Sequence, residues 1–130
     1  MGTDDRAKAD PSLTALTEKI IGCAFAVSNT LGHGFLENVY KNALALEIEA
    51  AGLFVRKEQP FPAHYRDNQV GLYIADLVVD NTVIVELKAT AVLTPVHLSQ
   101  VLNYLKACRL PVGLILNFGQ PRLEVKRVMR

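Results

Sequence analysis

The sequence predicts an α/β fold, a mixed central sheet flanked by helices, on three observations. Two N-terminal segments carry apolar residues at three- and four-residue steps, as amphipathic helices do. From Leu53 the pattern changes to short runs rich in Val, Ile, Tyr and Phe, punctuated by Pro60, Pro62, Gly71 and Asp80-Asn81. A third helical segment then precedes two further apolar runs, which brings a strand back to the sheet through a helix. The expected order is ααββββαββ.

Asp10 and Pro11 suit an N-cap and a first helical position, so a helix is expected over 12–31 with Leu13, Leu16, Ile20, Ala24 and Val27 inward. Gly32 and Gly34 break it. A second helix, about 36–51, carries Val39, Ala43, Leu44, Leu46 and Ile48, and Gly52 fits its left-handed C-cap. Strands are expected near 53–58, 61–66, 69–79 and 82–88, the last two as a hairpin. Thr94-Pro95 opens a third helix to about Cys108, with Leu98, Val101, Leu102 and Leu105 buried. Strands near 112–118 and 122–129 finish the chain.

A chain of 130 residues fits one domain, expected over 12–130 after a flexible lead-in at 1–11. Half the residues are hydrophobic and 21% are charged, the balance of a globular protein. No apolar run approaches a membrane span and no secretory signal is visible, so a cytoplasmic location is expected. Cys23 and Cys108 lie far apart in apolar helical patterns and read as buried thiols. A net charge of +1 excludes an overall positive field, so any nucleic-acid contact must be local. The densest basic stretch, Arg122, Lys126, Arg127 and Arg130, reads first as a solvated terminal strand. His33 and His64 have no zinc or general-base spacing and read as loop and strand residues.

Charged residues embedded in the predicted hairpin are the informative oddity. Side chains alternate along a strand, so Ile84, Glu86 and Lys88 share one face, and Val83, Val85 and Leu87 share the other. Whether Asp76 joins Glu86 depends on the turn. A two-residue loop pairs Val79 with Thr82 and sets the carboxylates on opposite sides. A three-residue loop, Asp80 to Thr82, pairs Val79 with Val83 and places Asp76 across from Glu86, and Asn81 tolerates the left-handed residue it needs. The three-residue loop is expected. Two like charges so placed repel, which suits either a hard divalent cation with oxygen ligands or a buried ion-pair triad with Lys88.

Asp76, nine intervening residues, and Glu86-Leu87-Lys88 resemble the acidic and E-x-K motifs of the PD-(D/E)XK nuclease superfamily. Gly34-Phe35-Leu36-Glu37-Asn38-Val39-Tyr40 resembles the signature of its GxxExxY family, and Gln100 to Tyr104 resembles the Q-x-x-x-Y element of RecB-like nucleases. Asn117-Phe118-Gly119 is also similar to that family. The resemblance implies phosphodiester hydrolysis with magnesium or manganese, on DNA, with a catalytic set of Glu37, Asp76, Glu86, Lys88, Gln100 and Tyr104. Asp76, Glu86 and Glu37 would be the metal ligands, and Lys88 would hold the attacking water or the phosphate. Tyr40 would bond or underlie Glu37, Gln100 would brace Glu86 or Lys88, and Tyr104 would touch a phosphate or base. His97, a turn earlier, extends that polar stripe. A homodimer would let the domain address both DNA strands, and near-neutral charge keeps open a catalytically silent nucleic-acid-binding or regulatory module.

Overall fold

A computed structural model describes residues 10–130; residues 1–9, most of the expected lead-in, lie outside it. The order is ααβββαββ: α1 (Pro11–Leu31), α2 (Glu37–Ala50), β1 (Val55–Tyr65), β2 (Asn68–Val79), β3 (Val83–Lys88), α3 (Pro95–Cys108), β4 (Val112–Asn117) and β5 (Glu124–Met129). The strands form one sheet in sequential order, antiparallel except where β4 runs parallel to β3 after the α3 crossover. This is the mixed α/β architecture that the patterning predicts.

Local chemistry sets the boundaries. Asp10 Oδ1 accepts from the N–H groups of Ser12 at 2.9 Å and Leu13 at 3.3 Å, with Pro11 as the first helical residue. At the end of α2, Gly52 adopts φ 84°, its N–H donates to Glu49 O, and the Leu53 N–H donates to Ile48 O, which closes the last turn. Thr94 is the N-cap of α3, and its N–H donates to His97 Nδ1 at 3.2 Å. His97 is thus a helix-capping residue.

The two short strands expected at 53–58 and 61–66 are one strand, β1, a correction to the predicted order. Pro60 and Pro62 lie inside it, paired with Ile74 and Leu72. Proline is tolerated there because β1 is an edge strand, and residues two apart direct their backbone N to the same side. Both missing N–H groups fall on the side away from β2.

The β2–β3 hairpin has the three-residue loop. Val79 pairs with Val83, Val78 with Ile84 and Leu77 with Val85. Asp80 and Asn81 both take left-handed φ, 51° and 52°, and the Thr82 N–H closes onto Val79 O at 2.9 Å. Asp80 Oδ1 also accepts from the Phe54 N–H at 2.8 Å.

The sheet is covered on both faces. Val83, Val85, Leu87, Leu114 and Leu116 pack with Ile20, Tyr40, Leu44 and Ile48 beneath α1 and α2. Ile84, Ile115 and Val128 pack with Val101 and Leu105 of α3. Each such aliphatic side chain contributes roughly 1.5–3 kcal/mol on burial, so β3 and β4 anchor the fold. Cys23 is buried and Cys108 half-buried, both free thiols. The basic C-terminal stretch is partly structural: the exposed Arg127 reaches back to donate to Thr17 Oγ1 of α1 at 2.9 Å.

Candidate functional site

Strand alternation puts Glu86 on the α3 face of β3, where it is only 8% exposed. Its Oε2 accepts two hydrogen bonds, from the Tyr73 hydroxyl at 2.8 Å and from the Asp76 N–H at 3.0 Å. Asp76 Oδ2 in turn accepts from the Leu87 N–H at 2.9 Å. The backbone ladder of the hairpin stops at Leu77 and Val85, and beyond it each carboxylate bonds a backbone N–H of the opposite strand. The two acids therefore lace the strands together. Glu86 Oε1 and Asp76 Oδ1 make no hydrogen bond among the described residues.

Asp76 also marks a break in β2. Ala75 packs on the α3 side and Leu77 on the α1–α2 side, although residues two apart in a regular strand share a face. The cause sits on β1. Lys57 pairs with Leu77 and Gln59 with Ala75, but Glu58, which would face Asp76, is missing from the ladder and holds φ 56°. Its carboxylate receives Lys41 Nζ at 2.8 Å. Lys41, on α2, is only 8% exposed.

Neither Lys41 nor Glu58 stood out in the sequence. A signal for Lys41 existed: it falls at the helical spacing of Leu44, Ala45 and Ile48 on the buried stripe of α2. A lysine in a core stripe requires a partner. Glu58 gave no signal, because its kink is a property of the sheet.

The electrostatics follow from burial and crowding. Loss of solvent, and then the neighbouring Asp76 charge, push the Glu86 carboxyl up to about 7. Burial also raises Asp76, opposed by the Leu87 N–H bond and by the Lys41 charge, with Glu37 raising it and Lys88 lowering it. Burial and the adjacent Glu86 hold the Tyr73 hydroxyl far above the usual phenol range, so it stays a donor. Cys108 is pushed up to about 11 by burial and Glu86.

Lys88 is half-buried at the end of β3 and makes no ion pair among the described residues. Glu37 is exposed in the first turn of α2, and its Oε2 accepts from the Ala89 N–H at 3.3 Å, just past Lys88. Asp76, Glu86, Lys88 and Glu37 are thus brought to one end of the β2–β3–α2 junction. Among the described residues no three acidic, His or Cys side chains close into a ready metal cage.

Tyr40 does not bond Glu37. Its hydroxyl donates to Gly32 O at 2.6 Å and accepts from the Phe35 N–H at 3.2 Å, while its ring stacks on Phe118 at 4.5 Å. The tyrosine thereby staples the glycine-rich entry to α2, where Gly34 takes φ 113°. Tyr104 is half-buried and stacks on Tyr73 at 3.6 Å, so it touches Glu86 through Tyr73. Gln100 is exposed and forms no hydrogen bond to Glu86 or Lys88.

A family profile described as the PD-(D/E)XK nuclease superfamily matches residues 14–128. The chain belongs to that superfamily. No curated protein and no solved structure matches it. Membership of the PD-(D/E)XK superfamily points to a nuclease-type function with a nucleic-acid substrate, and its nucleases generally use divalent metal ions. The donor set fits such an ion: two crowded carboxylates each keep one oxygen free, and their repulsion disfavours the doubly ionised state that a cation would restore. Among the described residues no helix is long and apolar enough to cross a membrane.

Proposed function

We propose that this PD-(D/E)XK domain is a nuclease of the GxxExxY branch, hydrolysing DNA phosphodiester bonds with magnesium or manganese. The observation that carries the reading is the pair of free oxygens, Asp76 Oδ1 and Glu86 Oε1, on carboxylates tied across one hairpin beside Lys88. A divalent cation there would supply Lewis acidity and the activation of water. Asp76 and Glu86 would hold it, with Glu37 as a further or water-mediated ligand. Tyr73 and the Asp76 N–H hold the Glu86 carboxylate through Oε2, which leaves Oε1 for the cation. Lys88 donates to the attacking water or to a phosphate oxygen as negative charge builds. Gln100 meets substrate from the exposed side of α3, and Tyr104 supports the site through Tyr73, which is how the Q-x-x-x-Y element acts in this reading. A homodimer would offer two such sites to a duplex.

The test is cleavage of single- and double-stranded DNA with magnesium or manganese. Asp76→Ala and Lys88→Ala are expected to lower turnover by on the order of a hundredfold or more. Equal activity in wild type and both variants would sink the assignment, and salt-dependent binding without turnover would favour the silent module instead.

Lys41→Met tests the cation beneath Asp76. Removing a buried charge whose partner Glu58 is largely exposed should leave stability within about 1 kcal/mol of wild type. Asp76 loses its strongest favourable charge, so its carboxyl should titrate higher still, read by carboxyl NMR, while the melting temperature holds. An unchanged Asp76 titration would separate Lys41 from the site.

A further inference from the structure

A cleft of about 460 Å³ opens beside Glu37, between the His33–Leu36 loop on one side and Ala89 and Gly119 on the other. Its volume falls within the roughly 300–1,000 Å³ typical of small-ligand sites. Two large apolar side chains stand in it unprotected from water, Phe35 at 46% and Leu36 at 81% exposure. Leu36 also occupies the N-cap of α2, which has no side-chain cap. A Ser, Thr, Asp or Asn there would supply the missing side-chain cap and stabilise the helix. Local stability is thus forgone at one spot, next to the acids.

Both walls are tied to the core. Tyr40 holds the loop through Gly32 O and the Phe35 N–H, and the Phe35 ring meets Tyr40 edge-on at 6.0 Å and 75°. Tyr40 itself rests on Phe118, so the exposed ring tops a three-ring pile anchored in the core. The opposite wall is backbone, Gly119 pressed against Ala89 and Thr90. Glu37 links cleft and acids: it lines the cleft, bonds the Ala89 N–H, and its charge acts on Asp76.

We infer that this cleft is a nucleobase subsite, in which the nucleotide next to the cleaved phosphate leaves its stack and lays its base on Phe35. The inference rests on the nuclease reading for its substrate class. A pre-oriented aromatic face with an apolar edge suits any base, because every base offers a π-face. A base enters at least cost from a single strand or an opened end, because leaving a duplex breaks pairing and stacking, so the site favours unpaired DNA over continuous duplex.

The probe is an oligonucleotide carrying 2-aminopurine, single-stranded or annealed to its complement, titrated in EDTA against wild type, Phe35→Ala and Phe35→Trp. Stacking on protein should quench 2-aminopurine in the single strand far more than in the duplex. Phe35→Ala should weaken binding of the single strand by roughly five- to a hundredfold, and Phe35→Trp should retain it. Matched circular-dichroism melts establish that the variants fold, as a half-exposed ring allows. Equal binding by Phe35→Ala, or equal quenching in the duplex, overturns the subsite. If wild type cleaves nothing yet quenching depends on Phe35, the nuclease reading fails and the subsite stands. If wild type cleaves and Phe35→Ala binds unchanged, the subsite alone fails.

Discussion

Gly119→Ala is expected to leave little folded protein. A Cβ added at Gly119 would overlap the backbone N and O of Thr90 and stand 2.7 Å from the backbone C of Ala89. These are main-chain atoms, which cannot rotate aside. They are also tied in place: Asn117, fully buried, accepts from the Thr90 and Gly119 N–H groups at 3.0 Å and donates to Thr90 O at 2.9 Å. The Phe118 N–H donates to Lys88 O at 2.8 Å. Relief of the overlap must pry the segment after β4 away from the segment after β3, breaking this group together. A loss of more than about 4 kcal/mol is expected, a large part of the roughly 5–15 kcal/mol that holds a domain together. Urea denaturation measures it, and a loss under about 1 kcal/mol would show that the two segments do not meet as described. Gly34→Ala is the contrast: nothing lies within 4 Å of its added Cβ, and its cost comes only from φ 113°.

The second large effect is a stability that falls as pH rises, and that divalent cation restores. Glu86 has its carboxyl raised from 4.5 to about 7 in the folded state. Between those values the folded protein binds the extra proton, so its stabilising contribution is full below about 4.5 and lost as pH rises through about 7. The difference amounts to roughly 3 kcal/mol. In EDTA, wild type should lose stability relative to Glu86→Gln between pH 4.5 and 8, because glutamine carries no titrating proton. Magnesium or manganese should then raise the melting temperature of wild type at pH 8 and leave that of Glu86→Gln nearly unmoved. A parallel pH dependence in the two proteins would remove the burial argument for Glu86, whereas an absent metal effect would weigh against the metal-binding reading alone.

Much of this site was legible because it depends on short-range rules. Alternation along six residues places Glu86 with Lys88, and Asp80-Asn81 permits the left-handed turn that sets Val79 against Val83. Caps and glycines likewise announce the helices, from Asp10 to Gly52. What escaped is long-range. The break at Asp76 depends on Glu58 and Lys41, residues brought together by an α2–β1 contact that no local period encodes. Tyr40 looked like a partner of Glu37 because both lie on one helical face, yet its hydroxyl finds Gly32 and Phe35 in the loop before the helix. His97 sat on a polar stripe, and its stronger claim was the nearest backbone N–H. The prolines of β1 argued for two strands, since only the finished sheet reveals which strand stands at its margin.

Those prolines carry a consequence for behaviour in concentrated solution. An eleven-residue strand on the rim of a sheet is a template onto which a neighbouring chain can zip, the first step toward insoluble assemblies. Pro60 and Pro62 remove two consecutive outward donors from that rim and carry rings that obstruct an incoming strand. The residues that hid β1 from sequence patterning also guard it against polymerisation.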